Sequence, residues 1–425
     1  MDGSRVSIPS IVMRATVVLG LTAALGGCGT SSPDGAIAHT GNATGRSALT
    51  AGNGCAATVI DTLGRIARRV YNEGISSERT ASARHLIEAS LPLRQAVEAG
   101  DAVAARAAGR SLLATGHMTN LMVTHGGRVL VDVGGRALAP LRGTLTGTGP
   151  APIGAYVASV WADAGFLAEA KGITEGSVAL RQNGHSIAGS LTLPQAELPT
   201  EGSLTEDHVG YRYASFPAAV YPTGELRVYL LRSSASTRGL CGHSAEDTLV
   251  NTLGRVANNI YDGERGGRAL AQIRRVQHDP ALLRAVAARE PAATARAVTA
   301  LLNQHIVRLR VSAEGRLLSD VGGPYVLAPV GASLRLSGRK IGSFVLSIQD
   351  DEGYKRLTKR LAGVDVLMYM GSQLVKNSLG PNPGNVPSSG TYHYRGLTFR
   401  VHTLHAVAFP SGPLEIDVLI PIPYS

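Results

Sequence analysis

The chain contains an internal duplication, and this feature limits the folds open to it more than any other. The segment 132–135 (DVGG) recurs at 320–323, a shift of 188 residues. The same shift carries 154–166 (GAYVASVWADAGF) onto 342–354 (GSFVLSIQDDEGY). Further matches at this spacing are Ser190-Leu191 with Ser378-Leu379, Arg212 with Arg400, and His117 with His305. A spacing held over so many segments predicts two copies of one fold.

The hydrophobic pattern inside each copy predicts long helices followed by strands. Apolar residues recur every three to four positions over 60–70 and 249–260, as on one face of a helix. Further along each copy, alternating apolar residues predict hairpins, with Gly127 and Gly315 in equivalent turns. We therefore expect an α+β fold in which a long N-terminal helix region packs on one antiparallel sheet per copy.

The N-terminus has the features of a secretion signal. A positively charged start precedes the apolar run 15–25, which is shorter than the roughly 20 residues that a membrane-spanning helix needs. Leu25-Gly26-Gly27-Cys28 resembles the lipobox of bacterial lipoproteins. This resemblance implies that residues 1–27 are removed and that Cys28 carries lipid, which would hold the chain at the extracytoplasmic face of the cell membrane. The alternative is an ordinary signal peptide that happens to contain a cysteine.

The next segment has little to bury. Residues 28–54 are rich in Gly, Ser and Thr, which predicts a flexible tether. No later segment is long and apolar enough to be expected to span a membrane.

The second copy also resembles a known sensor family. The segment 342–379 (GSFVLSIQDDEGYKRLTKRLAGVDVLMYMGSQLVKNSL) combines a glycine-led apolar strand, a short amphipathic helix and a strand–turn–strand unit. In these features it is similar to the middle of a Cache domain, the PAS-like extracytoplasmic sensor module. The resemblance implies tandem Cache-like domains at 55–232 and 241–425, joined by a linker at 233–240. Cache modules usually feed an output domain in the same chain; we expect none here, so a signal would need a separate partner.

Charge and motifs exclude several functional classes. The net charge of +10 is typical of nucleic-acid binding, but export argues against that partner, and no run of Lys and Arg is interleaved with aromatics. The sequence has no Gly-x-Ser-x-Gly, His-Glu-x-x-His, phosphate-binding loop or Cys-x-x-Cys. Ser337-Gly-Arg-Lys340 has the Ser-x-x-Lys spacing of penicillin-recognising enzymes, but its setting favours a turn. We expect no enzyme activity, no cofactor and no metal.

The resemblance places a small ligand on the sheet face that does not pack on the long helix. In the strands 209–215 and 397–403, the odd positions are mostly apolar, so the arginines point to the other face. A guanidinium group on that face suits a carboxylate. Serines alternate with apolar residues in the same way on a neighbouring strand. The alternative role of each arginine is structural: it is solvated on the strand face or paired with a nearby Asp. The candidate ligand-binding residues are Arg212, Arg400, Ser159, Ser347 and His402.

Three further residues carry structural predictions. Cys55 and Cys241 each precede the first helix of a copy, and two cysteines in an oxidising compartment are a candidate disulfide. Such a bond would fix the two copies against each other; the alternative is two free thiols. Trp161 is either a stacking surface of the first copy or part of its core.

The sequence supports two functional hypotheses. The first is a membrane-anchored extracytoplasmic lipoprotein that binds a small ligand, such as a carboxylate or an amino acid, through its tandem Cache-like domains. It would act through a separate membrane-protein partner. The second is a non-enzymatic envelope carrier or scaffold that holds lipid or glycan.

Overall fold

The computed structural model describes residues 43–149, 151–222, 224–302, 305–324, 326–409 and 412–424. The predicted signal peptide at 1–27 and the predicted lipid site at Cys28 lie outside these residues. Within the described ranges, no helix has both the length and the apolar character needed to cross a membrane.

The first copy begins with four helices. They are α1 (Ala43–Ser76), α2 (Glu78–Ala89), α3 (Leu91–Glu98) and α4 (Ala102–Ala114). Side-chain oxygens of Ser77, Ser90 and Asp101 accept hydrogen bonds from backbone N–H groups in the first turns of α2, α3 and α4. These caps satisfy donors that have no partner inside the helix, and so fix where each helix begins.

The start of α1 corrects part of the predicted tether. The sequence predicts flexible chain over 28–54, whereas residues 43–54 are helical. Nucleation rather than propagation carries the main entropic cost of a helix. A helix already held by the packed residues after Cys55 therefore extends toward its N-terminus at little further cost. The rest of the predicted tether lies outside the described residues.

The first copy continues with two main sheets. Its elements are β1 (Asn120–His125), β2 (Arg128–Gly134), β3 (Ala137–Leu138), β4 (Leu141–Thr146), β5 (Pro152–Ser159), α5 (Asp163–Thr174), β6 (Ser177–Gln182), β7 (His185–Gly189), β8 (Glu201–Glu206), β9 (Val209–Ala218), β10 (Val220–Tyr221) and β11 (Leu226–Ser233). One sheet has the strand order β2-β1-β5-β4 and the other β7-β6-β11-β9-β8, while β3 pairs with β10. The α+β class with antiparallel sheets is confirmed. The prediction of a single sheet per copy is wrong, because periodicity identifies strands but not their pairing partners. The strands before α5 form one main sheet and those after α5 form the other.

The second copy repeats this order after a short helix, α6 (Ser234–Arg238), in the predicted linker. Its elements are α7 (Ala245–Gly263), α8 (Gly267–His278), α9 (Pro280–Ala288), α10 (Pro291–Leu302), β12 (Arg308–Ala313), β13 (Arg316–Gly322), β14 (Val326–Leu327), β15 (Val330–Leu336), β16 (Arg339–Ser347), β17 (Gln349–Asp350), α11 (Asp351–Leu357), a π-helical turn (Thr358–Ala362), β18 (Asp365–Met370), β19 (Gln373–Asn377), β20 (Ser389–Tyr394), β21 (Leu397–Phe409) and β22 (Gly412–Ile422). The sheets run β13-β12-β16-β15 and β17-β14-β21-β22-β18-β19, with β20 on β21.

Equivalent tyrosines show that the copies share packing as well as element order. On α1, the Tyr71 hydroxyl accepts a hydrogen bond from Ala139 N at 2.8 Å and donates to Ala219 O. On α7, the Tyr261 hydroxyl accepts from Val407 N at 3.0 Å and donates to Val407 O at 2.9 Å. Each hydroxyl ties its long helix to the backbone of its own copy, and the acceptors Ala219 and Val407 occupy equivalent positions of the repeat.

The main hydrophobic core draws on both copies. Leu63 and Ile66 of α1 belong to the same buried cluster as Leu253 and Val256 of α7. Each four-stranded sheet has a separate core beneath α2–α4 or α8–α10. Because burial of apolar surface is the dominant favourable term in folding, contact between the copies stabilises the fold itself. The predicted linker at 233–240 thus connects two copies that belong to one compact unit, which begins at Ser47.

The copies also contact each other reciprocally. Asn259 Nδ2 on α7 donates to Ile173 O near the end of α5 at 3.0 Å. Arg69 Nη1 on α1 donates to Leu361 O in the π-helical turn at 3.4 Å. The donors Arg69 and Asn259 occupy equivalent positions on the long helices. The acceptors Ile173 and Leu361 also occupy equivalent positions of the repeat. Such reciprocity is the mark of a two-fold interface, here formed within one chain.

Candidate functional site

The two cysteines that the sequence places before the long helices lie together. A disulfide joins Cys55 to Cys241, with the Cα atoms 5.6 Å apart. Cys55 belongs to α1, and Cys241 precedes α7 by a few residues. The bond therefore ties α1 to the segment just before α7, with Cys55 packed against the edge of the main hydrophobic core.

The predicted ligand-binding serines are structural in this fold. Ser159 and Ser347 have no exposed surface. Ser159 Oγ donates to Leu138 O in β3, and Ser347 Oγ donates to Leu327 O in β14. Each hydroxyl thus joins the end of a long strand to a short neighbouring strand. With their polar atoms committed to backbone inside the protein, neither serine is available to a ligand.

Arg400 and His402 lie on the helix-packed face of their sheet, which corrects their predicted orientation. Arg400 bonds to Glu246 Oε1 at 2.5 Å and to Asp247 Oδ1 at 3.1 Å in the first turn of α7. The bond to Glu246 is the main reason that the pKa of the Arg400 guanidinium is raised. A Cβ at Gly254 of α7 would lie 2.3 Å from His402 Cδ2, so the imidazole rests on the helix. Burial there lowers the pKa of His402.

Arg212 occupies the equivalent face in the first copy. It is half-buried in β9, between Ser203 of β8 and Arg232 of β11. Ala214, two residues further on the same face, lies 3.0 Å from where a Cβ on Gly64 of α1 would stand. The alternation predicted for both strands is therefore correct, but the face assigned to the ligand is the one that packs on the long helix.

The opposite sheet faces are filled by aromatic and aliphatic side chains. In the first copy, the rings of Tyr213 and Tyr229 lie 6.0 Å apart and pack with Leu193 from the covering loop. In the second, the rings of Tyr392 and Phe399 lie 6.3 Å apart in a similar cluster. Apolar residues in the connections after the strands thus occupy the place that the resemblance reserves for a ligand.

Polar side chains gather instead in a crevice between the two copies. The C-terminal end of α1 and α5 line it from the first copy; the junction of α7 with α8 and the end of α11 line it from the second. It contains two cavities of about 520 Å³ and about 340 Å³. Both are bordered by Glu169, Arg268, Leu357 and Leu361, so they adjoin. We call this space the inter-copy crevice.

Ion pairs across the inter-copy crevice join one copy to the other. They are Glu73 with Arg360 at 2.8 Å, Glu78 with Arg356 at 3.0 Å, and Glu169 with Arg268 at 3.9 Å. Arg268 also contacts Glu264 of its own copy at 3.1 Å. The first pair is the most protected, with the Glu73 side chain 15% exposed, whereas Glu78 and Arg356 are largely solvated and contribute little to stability.

Two carboxyl groups in the crevice are poorly solvated. Burial raises the pKa of Glu73, and the nearby Arg360 opposes this rise. Burial also raises the pKa of Glu264, against the effect of Arg268. A carboxylate in such surroundings gains more from an added positive charge than an exposed one does.

Trp161 provides the aromatic wall of the crevice. The guanidinium carbon of Arg79 lies 5.8 Å from the centroid of its ring system. Its indole Nε1 is buried and has no hydrogen-bond partner among the described residues. Gly74 makes room for the ring, because a Cβ there would lie 2.5 Å from Trp161 Cδ1. Of the two roles that the sequence allows, Trp161 thus combines a stacking surface with partial burial.

Most residues of the inter-copy crevice carry no signal in the sequence. Glu73, Arg268 and Arg360 read as charged residues on helices without a motif, and their partners lie in the other copy or on another helix. Two lining residues have a distinguishing feature in the sequence: Trp161 is the only tryptophan of the chain, and His305 recurs with His117 at the 188-residue spacing. Neither feature indicates a crevice by itself.

Comparison with known proteins yields remote structural similarities only. No family model and no curated protein matches this chain. The periplasmic domain of LuxQ from Vibrio cholerae is 13% identical with a TM-score of 0.28, over 40% of this chain and 98% of that one. The extracellular domain of vpHK1S-Z8 is 10% identical with a TM-score of 0.27, over 43% of this chain and 97% of that one.

An extracellular ligand binding receptor from Desulfohalobium retbaense is 12% identical with a TM-score of 0.26, over 53% of this chain and 47% of that one. We base no conclusion on these similarities, because all three TM-scores are below 0.5.

Proposed function

We propose that this protein is an extracytoplasmic binding protein, anchored through lipid on Cys28, that holds a small carboxylic acid or amino acid in the inter-copy crevice. The observation that carries the proposal is a cavity of about 520 Å³ walled by Trp161 and by Arg and Glu side chains from both copies. Its volume lies in the range of roughly 300–1,000 Å³ that is usual for small-molecule sites.

The charges of the crevice suit a ligand that carries both signs. The Arg268 side chain is 63% exposed. Its Nη2 contacts Glu264 at 3.1 Å and Glu169 at 3.9 Å, so its other N–H groups are accessible to a carboxylate. Glu73 and Glu264 have raised pKa values through burial and would be stabilised by an ammonium group. The Trp161 ring offers a face for stacking.

The position of the crevice supports a role that depends on a partner. Ligand groups that compete for Glu169 and Arg268 would change an ion pair that joins the copies, and so the contact between them. Acyl chains on Cys28 would end in the outer leaflet and would carry no conformational change across the membrane. A separate membrane protein would have to respond to the occupied state. The carrier of lipid or glycan stays an alternative prediction, and the charged lining of the crevice favours a small polar molecule over acyl chains.

The only tryptophan in the chain makes the proposal directly testable. The full protein, purified in mild detergent, is titrated with amino acids and with small carboxylic acids while tryptophan emission is recorded. We expect at least one of them to change the emission of Trp161 and to raise the melting temperature.

A matched pair of variants then locates the site. Arg268→Gln should weaken binding of that compound about tenfold, because a charge-assisted hydrogen bond is lost. Arg255→Gln is the control, since Arg255 also lies on an exposed helix surface but pairs with Glu175 outside the crevice lining. Unchanged emission with every compound, or equal affinity of the two variants, would refute the proposal.

A further inference from the structure

One acidic position differs sharply between the copies, and in the second copy it is occupied by the protein's own arginines. Asp320 in β13 receives Arg308 Nε at 2.8 Å and Nη2 at 2.9 Å, a bidentate contact. Arg310 adds two further donors, Nη2 at 2.6 Å and Nε at 3.0 Å. Both guanidinium carbons lie over the ring of Phe409, at 5.3 and 4.9 Å from its centroid. The Asp320 side chain is consequently only 14% exposed.

The first copy keeps the carboxylate but lacks both guanidinium groups. Asp132 stands at the position of Asp320, while Asn120 and Met122 replace the two arginines. Asp132 is exposed, and its side chain has no hydrogen bond or ion pair among the described residues. Tyr221 stands at the position of Phe409 and pairs with the equivalent short strand. The first copy therefore retains a carboxylate and an aromatic position, and no described residue supplies the cation that fills them in the second copy.

Asn120 supplies an independent observation that points to a ligand at this position. Its Nδ2 donates to Gly135 O at 2.6 Å, just as Arg308 Nη1 in the second copy donates to Gly323 O at 2.7 Å. The shorter side chain thus follows the start of the path that Arg308 takes. Asn120 is 3% exposed, yet its Oδ1 is buried without a hydrogen-bond partner among the described residues. An unsatisfied buried acceptor is unfavourable, and an added N–H donor would relieve it.

We propose that the first copy binds a small guanidinium compound at Asp132, in the place that the second copy fills with Arg308. The planar guanidinium donates two parallel N–H bonds to the Asp132 carboxylate. A third N–H is directed toward Asn120 Oδ1, and the aromatic ring of Tyr221 offers a surface for the cation. This site is separate from the inter-copy crevice and does not rest on the function proposed for it.

The test uses butylguanidine, with butylurea as its uncharged counterpart. Neither carries a carboxylate or an ammonium group, so neither satisfies the chemistry proposed for the crevice. We expect ligand-observed NMR to detect butylguanidine binding to the full protein without a change in Trp161 emission. Butylurea should bind at least about tenfold more weakly, since the charge assistance is lost. Equal binding of the two compounds would overturn the proposal.

Three variants exploit the duplication. Asp132→Asn should weaken butylguanidine binding about tenfold, and Asn120→Arg should abolish it by supplying the guanidinium from the chain itself. Conversely, Arg308→Asn combined with Arg310→Met should open the second copy and add a second equivalent of bound compound. If that double variant fails to fold, the binding measured with Asp132→Asn and Asn120→Arg still tests the proposal. Undiminished binding by Asp132→Asn would place the compound elsewhere and sink the proposal.

Discussion

The two copies share one scaffold but treat the same acidic position in opposite ways. Tyr71 and Tyr261 donate from the long helices to equivalent backbone oxygens, those of Ala219 and Val407, so the internal framework is common to both copies. Asp320, by contrast, is closed by two arginines of its own copy, whereas Asp132 is exposed. The repeat therefore constrains the packing of this fold far more than its surface chemistry.

A second equivalent pair differs in the same sense. Trp161 in the first copy aligns with Gln349 in the second, and each has a buried polar atom without a partner among the described residues. Only Trp161 lines the inter-copy crevice as described above. The crevice is therefore lined asymmetrically, although the interface between the copies has approximate two-fold symmetry. The chain can consequently present one site there and not two equivalent ones.

The largest expected effect concerns the covalent tie between the copies. Replacing both cysteines, Cys55→Ser with Cys241→Ser, should lower the free energy of unfolding by about 4 kcal/mol. The disulfide spans a sequence separation of 186 residues, and cross-linking so long a loop restricts the unfolded chain strongly. Urea unfolding of the variant is compared with the wild-type protein before and after reduction. An unchanged free energy would mean that the shared core alone holds the copies together.

The next effect tests the acidic position directly. Asp320→Asn should lower the free energy of unfolding by about 2 kcal/mol, because it removes charge-assisted bonds and leaves two arginines without their counter-ion. Asp132→Asn should change it by less than about 0.5 kcal/mol, as expected of an exposed residue. Urea unfolding of both variants measures the contrast. Equal losses would show that the two positions are alike in energy despite their different surroundings.

The stabilisation contributed by the Asp320 carboxylate should also depend on pH. The bonds from Arg308, and then those from Arg310, lower the pKa of Asp320 below its usual value of 3.8. The folded state therefore binds its proton less readily than the unfolded state, and the stabilisation is present above pH 3.8 and lost as pH falls through the lower folded value. We expect the stability gap between wild type and Asp320→Asn to narrow with acidification. A gap that widened in acid would contradict this linkage.

The smallest expected effect compares how the long helices meet their sheets. Gly254→Ala places a Cβ 2.3 Å from the His402 ring, and this crowding should outweigh the gain in helix propensity and lower stability by about 1 kcal/mol. Gly64→Ala meets only Ala214 Cβ at 3.0 Å and should be close to neutral. Thermal unfolding measures both. Adding His402→Ala should restore much of the loss in Gly254→Ala, and a double variant as unstable as the single one would refute the steric explanation.

The errors in the predicted site have one physical origin. Alternation correctly placed Arg400 and Phe399 on opposite faces of a strand, because the side-chain period of a strand is two. It did not say which face meets the helix. That choice depends on partners such as Glu246 and Gly254, more than 140 residues away, and on the residues that cover the other face. The same reasoning applies to Ser159, which is buried against β3, a strand that pairs with the distant β10.

The duplication, the order of helices and strands, and the α+β class could be predicted from the sequence, since they depend on local periodicity and on residues compared at a fixed spacing. The tertiary structure was needed to find the division of each copy into two sheets, the face on which Arg212 and Arg400 lie, and the inter-copy crevice. It also revealed that Asp320 is neutralised and Asp132 is not. These properties arise from contacts between residues distant along the chain, whose energies depend on burial and on charge separation in space, and periodicity carries no information about either.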